Sequence, residues 1–551
     1  MPNQASNPRG NASIMSNELN LSKVNISFLR SCRILFGLLL SGGMLIATAA
    51  ASPADGYDLV ILNGRVMDPE SGLDAQRNVG IKDGKIAAIS ELRLTGTETI
   101  DASGHVVSPG FIDGHVHVVE MPLGQRLILR DGVTTSLALE LGTVTVGRWY
   151  DAMEGKSHTN YGVSVSSVGA RAAVYDVDYL EKTPTGGTVK DMYAGQVKIT
   201  PDAWGRTPTE AETAKILDLL EQGLKEGALG VGPPAGYMVD SFTSQEMIGA
   251  QKLAGQYGRF IHLHARFSSQ IPPTSGILAF QESIASAGAF GGGLIIAHFT
   301  AQSLDDTQAT MDYVADLQAN GVPVMLEVYP YNYGGAGNGI QADYLEPHNY
   351  HKNMGRTYSD IIDVATGKPL DKATYDKLIK TDPTHTVLFY NATEEDNMKA
   401  VANPDVLIGC DCFPLSTSNG FAEDWNTPFG ELRSHPRTAG AHAKVLRLSR
   451  EGHLPLMSAI NKMTYKWAKF LQDNGVEQMA AKGRLQEGMD ADITIFDSAT
   501  VTDNSTLKQG ENALPSSGIP YVIVNGKIVV KDSVAQERIY AGKPIRASII
   551  K

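Results

Sequence analysis

Pro109-Gly110-Phe111-Ile112-Asp113-Gly114-His115-Val116-His117 decides how the rest of this chain is read. The apolar run that ends in it, from Val106 to Ile112, has the length and character of a buried strand. Side chains alternate along a strand, so His115 and His117 leave its C-terminal end on the same side. Two imidazoles then aim at one spot, with Gly110 and Gly114 leaving room beside them. That arrangement suits a metal ion held by nitrogen ligands.

Working outward, the chain alternates short apolar runs with segments of helical period. Candidate strands lie at 106–115, Val133 to Glu140, Val163 to Val168, Ala228 to Gly232, Phe260 to His264, Leu294 to His298, Val322 to Glu327 and Val406 to Asp411. Helix starts are readable between them. Thr207-Pro208-Thr209-Glu210 and Thr243-Ser244-Gln245-Glu246 have the form of capping boxes, and Leu217, Leu220 and Leu224 space one apolar face. Eight strands alternating with helices predict an α/β fold, a TIM (β/α)8 barrel over residues 107–475. The loop-like Asn332 to Gly339 opens an insertion over about 332–386, which reads as a lid over the functional face or as a plain surface excursion.

The two ends read differently. Residues 52–106 hold short alternating runs with Asn63-Gly64 and Asp83-Gly84 as hairpin-turn signals, and residues 476–551 repeat the style with Asn525-Gly526. Both ends are therefore expected to build one small β-sandwich domain. Ahead of it, Arg30 and Arg33 precede the apolar run from Ile34 to Ala47 and the small residues Ala47 to Ala51, which is the three-part pattern of a secretory leader. Cleavage near Ala49 or Ala51 would leave a periplasmic or secreted protein with no stable membrane anchor.

Composition narrows the partners. The 551 residues are 42% hydrophobic and carry a net charge of −13, with no cluster of Lys and Arg. Nucleic acid and anionic membrane are poor partners for such a surface, which leaves a small-molecule substrate. Oligomeric state is not written in the sequence. Cys32 falls in the leader, so only Cys410 and Cys412 remain, and no disulfide framework is expected.

If the barrel forms, its strand ends gather His115 and His117, Glu140, His264, His298 and Asp411 on one face. Neutral imidazoles and a carboxylate suit Zn²⁺, and a carboxylate between two histidine groups can bridge a second ion. Such a centre activates water, and Asp411 is placed to take its proton and return it to a leaving amine, which is amide hydrolysis. His262, two residues before His264, is expected one layer deeper as a packing or supporting histidine.

The stretch from Pro109 to His117 resembles the opening strand of the amidohydrolase superfamily. Gly132-Val133-Thr134-Thr135, His264-Ala265-Arg266, Glu327 to Tyr331, Ile408 to Asp411, His435-Pro436-Arg437, Lys462-Met463-Thr464 and Lys482 to Asp492, in that order, resemble the N-acyl-D-amino-acid deacylases. Leu137 to Gly142 with Trp149-Tyr150 is similar to the D-glutamate branch. The resemblance implies that His264 and His298 hold a tight zinc ion, that His115 and His117 serve a second, and that Asp411 is the acid/base. It also places Arg266, Tyr329 and His435-Pro436-Arg437 around the pocket. Arg266 or Arg437 would then hold a substrate carboxylate, and Tyr329 or Tyr331 would polarise the scissile carbonyl.

The sequence departs from the family where a bridging cysteine is usual after strand two. Glu140 falls one position away in simple register. Cys410-Asp411-Cys412 replaces Ser-Asp-Gly, Val118-Val119-Glu120 replaces the Asp-Asp that often follows the His pair, and Phe299 follows His298. The expected activity is zinc-dependent hydrolysis of N-acyl-D-amino acids, acidic ones slightly favoured. A cyclic amidase or isoaspartyl-dipeptidase-like enzyme is the nearest alternative, and a non-catalytic binding protein on the same barrel is the alternative of another class.

Overall fold

In the computed structural model the described residues run from 56 to 550, apart from 184, 186, 187, 194–198, 336–338, 343, 344 and 384. The expected leader over residues 1–51 lies outside the described residues. Among them, no helix is long and apolar enough to cross a membrane.

Eight short strands pair in chain order: β1 (Phe111–Asp113), β2 (Val133–Thr143), β3 (Asn160–Ser166), β4 (Gly230–Gly232), β5 (Phe260–Leu263), β6 (Gly293–Ile296), β7 (Val324–Val328) and β8 (Leu407–Ile408). All neighbours are parallel. Parallel strands need a crossover between them, and helices covering the sheet bury nearly every strand residue, which is why these strands read as apolar runs. Just beyond β1 and β8 a parallel bridge joins Val116 to Cys412, and the Cys412 N–H donates to the His115 carbonyl over 3.3 Å. The sheet thus curls back on itself, and its C-terminal ends face one another.

The run read as one strand over 106–115 is two. Val106–Pro109 lies antiparallel to Ile493–Phe496 in the small sheet, and the barrel strand begins only at Phe111. The break is at Gly110, whose N–H donates to the Asp492 carbonyl over 2.8 Å. A Cβ there would stand 2.2 Å from Thr134 Oγ1, so a side chain has no space.

Helices α1 (Glu210–Lys225) and α2 (Ser244–Gln256) flank β4, and α3 (Gly276–Phe290) follows β5. The Thr243–Glu246 box caps α2 as expected. For α1 the box sits two residues later than the Thr207–Glu210 reading. Thr209 accepts from the Glu212 N–H, and the Glu212 carboxylate accepts from the Thr209 N–H over 2.9 Å. Two Thr-x-x-Glu registers overlap here, and in the later one Glu212 also meets Arg206. The buried stripe of α1 runs through Thr213, Ile216, Leu220 and Leu224, with Leu217 at its edge.

Both chain ends build the small domain, as expected. It is one continuous nine-stranded sheet with apolar clusters on both faces, one around Leu59, Ile81 and Ile493 and another around Tyr57, Val60 and Leu62. Asp83-Gly84 and Asn525-Gly526 make tight turns, with φ of 52° and 76° and of 47° and 78°. Asn63-Gly64 does not. It is a bulge inside the strand Tyr57–Asp68, where Asn63 takes φ 61° and its N–H is satisfied by the Asn78 side chain at 2.9 Å. Lys482, Asp492, Asn160 and Asn525 form a buried polar chain, with contacts of 2.7 to 2.9 Å, that fastens this sheet to the barrel.

The insertion after β7 is a folded unit. Tyr333–Gly335, Ile361–Asp363 and Lys368–Pro369 join Val387–Tyr390 in a four-stranded antiparallel sheet over a core including Tyr350, Leu370 and Phe389. It stands beside the barrel mouth, where Asn391 donates to the Tyr329 hydroxyl over 3.0 Å.

Candidate metal centre

The structure brings the six strand-end residues together. His115 and His117 follow β1, Glu140 lies in β2, His264 and His298 follow β5 and β6, and Asp411 follows β8. Glu140 is the hub. Its Oε2 is 3.5 Å from His115 Nε2 and 3.4 Å from His117 Nε2, while its Oε1 is 3.0 Å from His264 Nδ1 and 3.8 Å from His298 Nε2. Asp411 Oδ1 sits on the first pair, 3.2 Å from His117 Nε2 and 3.4 Å from His115 Nε2. Among the described residues, these side chains form overlapping groups, each compact enough to hold a metal ion. One carboxylate between two pairs of imidazoles is the bridging arrangement expected of Glu140.

Sequence reading left Glu327 without a role. It sits in β7 and accepts a 2.8 Å hydrogen bond from His115 Nδ1, lies 3.5 Å from His262 Nε2 and accepts from the His298 N–H over 3.2 Å. A carboxylate on Nδ1 fixes the tautomer of a ligand histidine and turns its other nitrogen to the site. The available signal was a Glu inside an otherwise apolar strand, two residues before Tyr329. His262 is fully buried beside His115, ring centroids 5.0 Å apart, which is the supporting place expected of it. Gln302 holds His298 Nδ1 at 3.0 Å and leaves Nε2 toward Glu140.

The electrostatics call for a cation. Burial opposes charge on His115, yet Asp411, Glu327 and Glu140 together draw its proton affinity far above the ordinary histidine value. Burial likewise opposes ionisation of Glu140, but the surrounding imidazoles of His115, His264 and His298 hold it well below the usual carboxylate range. Glu327 overcomes its own burial through His115 and is lowered to about 2. His115 Nε2 is buried and, among the described residues, without a hydrogen-bond partner, and it is aimed at acceptor oxygens of Glu140 and Asp411. The nitrogen and oxygen donors gathered here fit a divalent metal.

The pocket residues divide. Arg437, the first residue of α4 (Arg437–Arg450), is committed to Asp411: its Nε donates to the Asp411 carbonyl and its Nη2 to the carboxylate, both over 2.6 Å. Holding a substrate carboxylate is therefore not its place, because the helix start in His435-Pro436-Arg437 folds the guanidinium back onto Asp411. Despite burial, that guanidinium and His115 keep Asp411 ionised. Tyr329 stays at the centre, its ring 6.0 Å from that of His298. Tyr331 does not. The chain turns after β7, with the Tyr331 N–H donating to the Tyr329 carbonyl over 2.8 Å, and Tyr331 points its hydroxyl at Asp503, 3.3 Å away. Arg266 Nε pairs with Glu282 at 3.0 Å, and its buried Nη2 has no hydrogen-bond partner among the described residues. Tyr237, which the sequence did not single out, lays its ring 4.4 Å from that of His264.

Cys410 and Cys412 make a local link, which the expectation of no disulfide framework did not address. They are joined as a disulfide across Asp411, with Cα atoms 4.9 Å apart. Cysteine counting misses it because the question there is long-range framework, and a bond spanning one residue is a local device.

No family model matches the chain. Known proteins do. The chain is 26% identical over 520 residues to D-aminoacylase from Alcaligenes xylosoxydans xylosoxydans, covering 89% of this chain and 97% of that one. It is 25% identical over 506 residues to N-acyl-D-glutamate deacylase from the same organism, covering 87% and 95%. The solved N-acyl-D-glutamate deacylase of Bordetella bronchiseptica, complexed with zinc and a phosphonate inhibitor, matches with a TM-score of 0.68 and 22% identity over 89% of this chain and 100% of that one. The chain is thus similar nearly end to end to D-aminoacylase and N-acyl-D-glutamate deacylase, and it shares its fold with the solved deacylase.

Proposed function

We propose that this chain hydrolyses the amide bond of N-acyl-D-amino acids at a zinc centre, with acidic D-amino acids such as D-glutamate slightly favoured, in a periplasmic or secreted setting. One observation carries the reading: Glu140 lies between the pairs His115/His117 and His264/His298, with Asp411 against the first pair. One or two divalent ions held by these residues would supply Lewis acidity and make the attacking water a better proton donor. Asp411, ionised and anchored by Arg437, receives that proton and delivers it to the leaving nitrogen. Tyr329, whose hydroxyl is held by Asn391, is placed to donate to the oxygen that gains charge as the carbonyl is attacked. Support for the substrate class comes from the relatives, all three named for D-amino-acid deacylation.

The test is a panel of N-acyl-D- and N-acyl-L-amino acids with purified zinc-loaded protein. Turnover of D-substrates, highest with acidic side chains, is expected; turnover restricted to L-substrates or to cyclic amides would overturn the reading.

With Arg437 engaged, Arg266 is the remaining candidate for the substrate carboxylate, since its Nη2 has an unused donor. A charge-assisted bond is roughly twice as strong as a neutral one. Arg266→Ala is expected to raise KM on the order of tenfold with kcat changed much less, since that bond is alike in ground and transition states. Steady-state kinetics on the best D-substrate checks this; an unchanged KM removes Arg266 from the site.

A further inference from the structure

We propose that the Cys410–Cys412 disulfide is a positioning device that holds Asp411 in the conformation its proton transfers require. The proposal rests on the reading of Asp411 as the acid/base. Asp411 has φ 46°, in the left-handed region that favours glycine. Something must hold it there, because a right-handed or extended backbone would swing the carboxylate away from His115 and His117.

The neighbouring hydrogen bonds fix the flanks. The Cys410 N–H donates to Asp113 Oδ2 over 2.9 Å, and the Cys412 N–H donates to the His115 carbonyl over 3.3 Å. Arg437 grips the Asp411 carbonyl and carboxylate. Only the disulfide ties the two flanks covalently to each other, closing a small ring of which the Asp411 backbone is a part. With the ring closed, few backbone conformations remain for the residue between the cysteines. Asp411 Oδ1 is thereby kept within 3.4 Å of both His115 and His117 Nε2.

Burial fits this role. Cys410 is 1% exposed and Cys412 is fully buried, so the bond is shielded from casual exchange. The two sulfurs and Asp113 lie close enough together to hold a metal were the cysteines thiolates. Joined to each other, the sulfurs offer no thiolate, and that trio is a brace instead of a ligand set.

The test starts with intact-mass and peptide analysis of the metal-loaded protein, alkylated while denatured. Neither cysteine is expected to react before reduction, and both after it. With tris(2-carboxyethyl)phosphine the Sγ–Sγ bond breaks, the phosphine takes oxygen from water to become the phosphine oxide, and the two sulfurs become thiols. Reduced protein is expected to lose at least tenfold in kcat with KM within twofold and metal content unchanged. Reoxidation by oxidised glutathione, which leaves as two thiols, should restore kcat. C410S/C412S should show the same kcat loss without response to reductant. A general structural role would move metal content, KM and thermal midpoint together, and that pattern overturns the proposal. Free thiols in a fully active parent overturn it while leaving the hydrolase reading intact. A parent with the bond intact and no turnover of the panel overturns the hydrolase reading and the positioning role with it.

Discussion

Asp411→Asn is expected to bind metal like the parent and to turn over substrate about 10³-fold more slowly, the middle of the range for a general acid–base group. The asparagine has nearly the same shape, keeps its one side-chain oxygen toward His117, and still accepts at its backbone carbonyl from Arg437 Nε over 2.6 Å, while its NH2 replaces the oxygen that faces Arg437 Nη2. What it loses is the capacity to hold a proton between attack and departure of the nitrogen. Loss of kcat with little change in KM therefore reports the chemistry, while Asp411→Ala adds a cavity beside Arg437 and a released guanidinium. Elemental analysis of both variants separates the effects. If either one hydrolyses the best N-acyl-D-glutamate substrate at the parent rate, another group carries the proton.

The second large effect is expected at the hub. Glu140→Ala removes the carboxylate that approaches His115, His117, His264 and His298 at 3.0 to 3.8 Å. Groups that merely orient ligands are worth 10- to 100-fold in metal affinity, so removal of the shared carboxylate should weaken zinc by about 100-fold or more, and turnover should fall with it. His264→Ala is expected to lose metal in the same assay. His117→Ala, at the pair that Asp411 overlooks, should lose less if one ion on the Glu140/His264/His298 side suffices. The measurement is zinc retained after gel filtration, followed by competitive titration with a chelator. Equal zinc affinity in Glu140→Ala and the parent would remove Glu140 from the centre.

The contrast between what the sequence disclosed and what it hid has a physical basis. Strands buried on both faces must be apolar throughout, so a charged or imidazole residue at the end of such a run stands out, and all six strand-end residues met as read. Glu140 was legible for the same reason. Glu327 was not weighed, because its meaning depends on His115 lying opposite it across the barrel, 212 positions away in sequence. Tyr331 and Arg437, named through the resemblance as alternatives to Tyr329 and Arg266, are turned elsewhere by the turn after β7 and by the way α4 begins. Asn63-Gly64 carries a strong turn signal, yet the Asn78 side chain satisfies the Asn63 N–H and the strand continues through the bulge. In each of these cases a tertiary contact outweighed a local preference.

The most direct measurement of the central claim is metal content joined to X-ray absorption on the purified full-length protein loaded with zinc and desalted. Tightly held zinc with nitrogen and oxygen scatterers near 2 Å and the outer-shell pattern of imidazole, abolished in His264→Ala, is the expected result. Zinc that washes out of the parent, or a spectrum without imidazole, would mean that the convergence of His115, His117, Glu140, His264, His298 and Asp411 serves something other than a metal ion.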